Sequence, residues 1–294
     1  PARTTLLYKI ADETQYAIVP YSEDFDIPIG RSFTVETWIW VDPVISSDPS
    51  FISNKNWDSG GNNGWNMAAK SGTWDVNIAD DERNRTDFDP PTLNDQRWHH
   101  VGFVVDGDAR TIAVWTDDLV QGPIPLEGAG PTINPDNFPL AFAQDGTEGY
   151  PAKFPGMLDE IRIYHAALDM ETVKAWRHRK ITDEHPFRDA LVGYWDFDNI
   201  SGTTIPDLSG NGHDATIVGG PVERVSYAVV GDEVTVELQD VAAIWGVENE
   251  PLDQTEGTSG ILTIESDFEN VVFNFADQKS AVFGHNGLTD LTTE

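Results

Sequence analysis

The sequence predicts an all-β protein, a β-sandwich with one short helix followed by a smaller β-rich unit. Residues 33–40 (FTVETWIW) fall into two alternating sets, as expected when an extended strand presents one set to each face. Short runs rich in β-branched and aromatic residues alternate with turn-forming residues along most of the chain. Only residues 169–180 have helical spacing. These three observations together indicate packed sheets.

The strand at residues 33–40 is expected to be covered on both faces, because Trp38 and Trp40 are also large and apolar. Asp106-Gly107-Asp108 lies between two β-rich runs and gives the strongest hairpin signal. The predicted strands are, in chain order, residues 15–20, 33–41, 51–54, 65–69, 73–78, 98–106, 111–116, 140–142 and 157–164.

The predicted helix follows the last of these strands, at DMETVKAWRHRK. Asp169 is suited to cap its first turn. Met170, Val173 and Trp176 share one face, which would pack on the sandwich. Basic residues gather at its C-terminal end, where the helix dipole favours positive charge.

The composition is that of a globular protein with an acidic surface. Of 294 residues, 39% are hydrophobic and 11% aromatic, enough for a sizeable core. The net charge of −32 argues against binding nucleic acid or anionic membranes. No apolar run approaches the roughly 20 residues that span a bilayer. The chain opens PARTTLLYKI and has no cysteine, so we expect any secretion signal to lie outside it and no disulfides or thiolate metal sites.

Three segments occur in a recognisable order: FTVETW from Phe33, RWHHVGFVVD from Arg97 and GMLDEIRIYHAAL from Gly156. Together they resemble the laminin-G-like branch of the concanavalin A-like lectin/glucanase superfamily, in which FTVEAW, WHHVAGVYD and DEVRIYNRAL strands recur at similar spacing. The resemblance implies a concanavalin A-like jelly roll of the bacterial extracellular type, secreted or on the cell surface. Such domains are accessory modules of larger polypeptides, so other domains are expected partners.

Residues 191–220 resemble the segment that usually opens such a domain, yet here they follow its body. No second FTVETW or WHHV follows, which favours a permuted or appended segment over a second copy. We therefore assign residues 1–220 to the sandwich and leave open whether 191–220 complete it. Residues 221–294 form a smaller unit whose runs EVTVEL, GILTIES, NVVFNFAD and SAVFG alternate as strands do. No family is indicated for that unit.

A glycoside hydrolase is the first enzymatic alternative, because the resembled superfamily includes glucanases. Those enzymes carry a Glu-x-Asp-x-x-Glu pattern on one strand, and no strand here has it. His99 and His100 point to opposite faces of a strand, so they cannot jointly hold a metal ion. Glu36 and Glu160 are the carboxylates whose replacement would test for hydrolysis. The sequence thus favours a non-catalytic protein without excluding an enzyme.

Calcium is the expected metal. In the resembled superfamily a structural calcium is often held by the Asp that precedes the last body strand, together with groups near the first strand. Asp159 occupies the first position and Asp12 is a plausible companion for it. The alternative is that Asp159 only caps a turn or pairs with Arg162.

Carbohydrate is the expected ligand. Indole faces stack on sugar C–H groups, while amides and carboxylates share directional hydrogen bonds with hydroxyls. For each tryptophan, burial in the core is the competing interpretation. The candidate binding residues are Trp57, Asp58, Asn62, Asn63, Trp65, Trp74, Arg83 and Arg85.

The sequence therefore predicts a non-catalytic extracellular module that binds a glycan or cell-surface polysaccharide, without nucleic-acid binding or membrane insertion. A protein-adhesion module or structural spacer is the first alternative, and a glycoside hydrolase-like enzyme is the second.

Overall fold

The computed structural model describes residues 15–219, except for 42–44, 46, 71, 89, 91–96 and 128–135, and the backbone of six strands outside that range. The chain folds into a large unit, Thr4–Ser226, and a small one formed by Pro1–Arg3 and Tyr227–Glu294. No helix in the described part is long and apolar enough to cross a membrane.

The large unit contains two eight-stranded sheets. Every strand pair whose residue-to-residue pairing is described in them is antiparallel. The first, sheet A, comprises β1 (Arg3–Leu7), β3 (Phe33–Val41), β8 (Trp98–Asp106), β9 (Thr111–Thr116), β10 (Leu119–Pro125), β12 (Gly156–Tyr164), β13 (Leu191–Trp195) and β16 (Glu223–Tyr227). The second, sheet B, comprises β2 (Tyr16–Val19), β4 (Ser50–Ser53), β5 (Gly64–Lys70), β6 (Thr73–Ala79), β7 (Arg85–Phe88), β11 (Leu140–Phe142), β14 (Thr204–Ile205) and β15 (Ala215–Val218).

The strand orders place β3 and β12 in the middle of one layer and β11 and β4 in the middle of the other. Sheet A runs β10-β9-β8-β3-β12-β1-β16, with β13 also paired to β12, and sheet B runs β14-β15-β2-β11-β4-β5-β6-β7. The two layers enclose one apolar core. Trp65 of sheet B contacts Phe33 and Phe103 of sheet A, with ring centroids 5.9 and 5.7 Å apart. The predicted all-β sandwich is confirmed.

The predicted strands agree closely with the structure, while the helix ends four residues before the end of the predicted segment 169–180. Strands β3, β8, β9 and β11 have the predicted bounds, and the other predicted strands differ by one or two residues. The helix α1 spans Met170–Trp176, and the Asp169 carboxylate accepts a hydrogen bond from Thr172 N, so the predicted cap is present. Within residues 191–220, β13 pairs with β12 and β15 pairs with β2, so this segment adds strands to both sheets.

The small unit has a four-stranded sheet in the order β17-β18-β19-β20. Its strands are Glu233–Glu237, Ser259–Ser266, Asn270–Asn274 and Ser280–Gly284, all antiparallel to their neighbours. They coincide with the four alternating runs noted in the sequence.

The outer face of sheet A is covered, as its tryptophans predict. Trp38 is 5% exposed, and its indole N–H donates to the Arg177 carbonyl oxygen just after α1. A second apolar cluster lies on this side, including Trp115, Tyr164 and Val173. The short helix α1 thus covers the side of sheet A opposite the main core.

A buried charge network crosses this covered face. Arg162 is 1% exposed, and its guanidinium donates to Glu36 on β3 and to Glu160 on β12. It also donates to the carbonyl oxygens of Trp176 and Arg179, which fixes the end of α1 against the sheet. Burial raises the pKa of Glu36 and Arg162 opposes that rise. Through these contacts Arg162 links the C-terminal end of α1 to strands β3 and β12 of sheet A.

Replacing Arg162 should be strongly destabilising. Arg162→Ala leaves two buried carboxylates without their partner, so we expect a loss of about 3–5 kcal/mol in the free energy of unfolding. Lys174→Ala removes an ion pair with Asp118 between partly exposed side chains and should cost less than about 1 kcal/mol. Urea unfolding followed by tryptophan fluorescence measures both. Equal losses in the two variants would contradict the role given to Arg162.

His185 is a buried titratable group in this region. It is 3% exposed, its ring stacks on Tyr164 with centroids 5.4 Å apart, and its Nδ1 accepts from Phe187 N. Burial, and then the charges of Arg162 and Arg188, lower its pKa to about 4. Protonation would add a positive charge beside Arg162 and remove the Nδ1 acceptor.

Stability should therefore fall on acidification between pH 6.5 and about 4. In that window the unfolded chain binds a proton at His185 and the folded chain does not, so the free energy of unfolding decreases as pH falls. His185→Phe keeps a ring and removes the titration, and its melting temperature should depend less on pH. Parallel pH profiles for the two proteins would show that His185 is not responsible.

Candidate functional site

A polar pocket of about 340 Å³ opens among three loops at one end of sheet B. One loop follows β4, the second joins β6 to β7, and the third precedes β11. The lining residues are Asn56, Gly61, Asn62, Asn63, Asp80, Asp81, Arg83, Asp136 and Phe138. Amides, carboxylates and one guanidinium thus surround a space that also has an aromatic ring at its wall.

The first loop is held at both ends by Asn54. Its amide nitrogen donates to the Phe25 carbonyl oxygen over 2.9 Å, and its amide oxygen accepts from Trp65 N over 2.8 Å. Within the loop, Asn62 Nδ2 donates to the Asn56 carbonyl oxygen over 3.1 Å. The loop is therefore a hydrogen-bonded turn that presents Asn62 and its neighbours to the pocket.

Lys55 anchors the same loop from beneath. Its side chain is fully buried on the outer face of sheet B, and Nζ donates to the Gly60 carbonyl oxygen over 3.1 Å and to Asn77 Oδ1. Nζ also lies 5.6 Å from the centre of the Trp57 ring. Burial lowers the Lys55 pKa to about 7, and the nearby Asp87 opposes that shift.

The second loop is shaped by Asp80, which is 5% exposed. Its carboxylate accepts from Glu82 N and from both the backbone and the side-chain nitrogen of Asn84. This turn places Arg83 in the left-handed region at φ 65°, which asparagine also tolerates. The Arg83 guanidinium donates to Ser59 Oγ over 3.2 Å and so joins the two loops.

Two glycines let these loops approach each other. A Cβ on Gly61 would lie 2.7 Å from Arg83 Nη2, and one on Gly60 would lie 2.7 Å from Arg85 Nη1. The atoms met are the ends of long, flexible arginine side chains, so a larger residue would displace these guanidinium groups from the loop rather than the backbone.

The structure brings together several of the predicted binding residues. Asn62, Asn63 and Arg83 line the pocket. Asp58 is exposed on the first loop, and Arg85 lies against Gly60 while pairing with Asp87 over 2.9 Å. Three of the predicted residues thus line the pocket, while Asp58 and Arg85 lie on or next to the loops that form it.

The three tryptophans do not lie on that surface. Trp65 and Trp74 are fully buried in the main core, with indole N–H groups donating to the Phe25 carbonyl oxygen and Thr116 Oγ1. Their predicted stacking on a sugar is not compatible with this structure, because neither side chain is exposed. Trp57 is 6% exposed and donates to the Asp48 carbonyl oxygen, so its ring supports the loop from within.

Sequence reasoning missed the three carboxylates and the aromatic ring of the pocket. Asp80 and Asp81 lie in a run without apolar alternation that resembles solvated charge, although they stand next to the predicted Arg83. Asp136 and Phe138 carry no local signal and reach the pocket only because β11 pairs with β4. Asn56, in contrast, lies within the predicted loop and could have been included.

The predicted calcium ligand Asp159 does not line this pocket. Asp159 is fully buried on β12, where its Oδ1 accepts from Glu160 N over 2.9 Å and its carbonyl oxygen accepts from Thr37 Oγ1. Asp12 lies outside the described residues. Within the described ranges, no three His, Asp or Glu side chains are grouped so that they could hold a metal ion. Calcium at Asp159 stays a prediction.

The fold and the pocket define a class: a two-sheet antiparallel β-sandwich that carries a polar pocket on its loops. More specifically, the chain belongs to the concanavalin A-like lectin/glucanases superfamily, whose laminin G family model matches residues 12–174. That span exceeds half of the chain and confirms the resemblance inferred from the three strand motifs. No curated protein matches the sequence significantly.

Several solved structures align with the chain, and the first of them shares its fold. A candidate carbohydrate-binding protein from Bacteroides ovatus aligns with a TM-score of 0.58 and 14% identity, over 78% of this chain and 61% of its own. A heptameric SAP-like pentraxin from Limulus polyphemus aligns with a TM-score of 0.45 and 16% identity, over 73% of this chain and 94% of its own. The LG4-5 domains of the mouse laminin α1 chain align with a TM-score of 0.42 and 14% identity, over 56% of this chain and 43% of their own. The chain thus spans only 61% of the Bacteroides protein.

Proposed function

We propose that this chain is a non-catalytic, extracellular glycan-binding module and that the polar pocket is its binding site. The observation that carries the proposal is the convergence of amides, carboxylates and a guanidinium in one pocket. Superfamily membership and the carbohydrate-binding role named for the Bacteroides protein support the same class of ligand.

The lining chemistry suits sugar hydroxyls. Asn62 and Asn63 can each donate and accept, so an amide can bridge neighbouring hydroxyls of one ring. Arg83 supplies several donors, and the partly exposed Phe138 ring offers an apolar patch for C–H groups. The pocket volume is within the range of small-molecule sites.

The charge of the pocket favours neutral glycans. Asp80, Asp81 and Asp136 line it against the single guanidinium of Arg83, in a chain of net charge −32. An acidic sugar would bring a further carboxylate into this field and be repelled. Neutral hexoses are therefore the expected class.

The hydrolase alternative is disfavoured at the two carboxylates that would test it. Glu36 and Glu160 are 1% and 2% exposed and both are paired with Arg162 beneath α1. A general acid or nucleophile has to reach the substrate, and these groups do not. The spacer alternative makes no use of the pocket and predicts no glycan binding.

A glycan array, followed by calorimetry with the best-bound glycan, tests the proposal. We expect binding of neutral glycans, and a weakening of about tenfold or more in Arg83→Asn, because a charged hydrogen-bond donor is lost. Asparagine keeps the left-handed backbone at this position. Arg110→Asn is the matched control, since Arg110 is also exposed and has φ 53° but lies in the β8–β9 turn.

Two results would contradict the proposal. An array without any bound glycan would favour the spacer. Unchanged affinity in Arg83→Asn, with melting temperature as the check on folding, would move the binding site elsewhere.

Calcium at Asp159 and Asp12 and attachment to a larger secreted or surface polypeptide belong to the same proposal. An ion that binds only the folded chain raises its apparent stability. We therefore expect chelator to lower the melting temperature and added calcium to restore it. A melting temperature that does not respond to either would remove calcium from the account.

A further inference from the structure

Three side chains on the outer face of sheet B are arranged as the amine, the carboxamide and the acid–base group of an amide-forming reaction. The fully buried Lys55 directs its amine at the side-chain amide of Asn77, which is also fully buried. Asn77 Nδ2 donates to Asp87 Oδ1 over 2.8 Å. Lysine, carboxamide and carboxylate thus lie in one hydrogen-bonded row that spans β6 and β7.

The Lys55 amine lacks the usual partner of a buried lysine. Among the described residues no carboxylate lies within ion-pair distance of it, and its acceptors are the Gly60 carbonyl oxygen and the Asn77 amide. Burial lowers its pKa to about 7, so a large fraction is uncharged near neutral pH. An uncharged amine has the free electron pair that a nucleophile needs.

We propose that Lys55 and Asn77 join through an intramolecular isopeptide bond, with Asp87 as the catalytic acid–base residue. The Nζ electron pair attacks Cγ of Asn77 and forms a tetrahedral intermediate. A proton passes from the attacking nitrogen to the Asp87 carboxylate, which then protonates Nδ2. The Cγ–Nδ2 bond breaks and ammonia leaves. One C–N bond forms and one breaks, so no oxidant or cofactor is needed.

The site has the features that this step requires. Asp87 already hydrogen-bonds the nitrogen that leaves, and Arg85 holds its second oxygen over 2.9 Å. Burial of Lys55 and Asn77 excludes water, which would compete for the carboxamide. Contact between fixed groups also replaces a bimolecular encounter by an intramolecular one.

The bond would tie the pocket loop to the sheet. Lys55 follows β4 and Asn77 lies within β6, so the link spans β5 and closes the segment that contains the first pocket loop. A covalent link of this kind restricts the unfolded chain as a disulfide does. The sequence has no cysteine that could supply one.

The intact mass of the purified, denatured chain tests the proposal. Loss of ammonia should leave it about 17 Da below the mass of the sequence. Lys55→Met, Asn77→Ala and Asp87→Asn should each have the full mass of their sequences. Lys70→Met is the matched control and should still show the loss, because Lys70 on the neighbouring strand pairs with the Asp75 carboxylate. A wild-type chain of full mass would overturn the proposal and leave a hydrogen bond only.

Peptide mapping separates this bond from the other source of the same mass loss. Succinimide formation at an Asn-Gly sequence also releases ammonia. The chain has three such sequences, which begin at Asn63, Asn211 and Asn286. Trypsin should not cleave after an acylated Lys55, and peptide 32–70 should be joined to peptide 71–83. A mass loss that maps to an Asn-Gly site and disappears in mild alkali would contradict the isopeptide bond.

Discussion

Lys55 lies buried against sheet B, where its amine donates to the Gly60 carbonyl oxygen and to Asn77. A buried amine can only be accommodated if its donors are satisfied, and here the chain must fold back so that Gly60 supplies an acceptor. That return brings Gly60 and Gly61 under the guanidinium groups of Arg85 and Arg83. The positions of the two loops that form most of the pocket therefore depend on the hydrogen bonds of the buried Lys55 amine.

The two outer faces of the sandwich are covered in different ways. On sheet A, α1 and the segment after it lie over a buried charge network centred on Arg162. On sheet B, the loop after β4 lies over a polar layer that includes Lys55 and Asn77. On sheet A the buried polar groups are charged side chains beneath α1, and on sheet B they are an amine and an amide beneath a loop. The aromatic core lies between the two sheets. The loop that lies over sheet B also borders the polar pocket.

The sequence was sufficient for elements whose side chains alternate strongly, such as Phe33–Val41, and for the helix with its Asp169 cap. It did not reveal the edge strands Arg85–Phe88 and Leu119–Pro125, because an edge strand with polar residues or prolines has no apolar alternation. For the pocket, the amides near position 62 could be predicted from composition. Which tryptophans face inward, and that Phe138 lies nearby, depends on strand pairing between distant segments.

Hydrogen–deuterium exchange with and without the best-bound glycan tests the central claim most directly. If the glycan occupies the pocket, backbone amides of residues 56–63, 80–84 and 136–138 should exchange more slowly in its presence, while the β8–β9 turn should be unaffected. Protection confined to other parts of the chain, or absent at saturating glycan, would contradict the placement of the binding site.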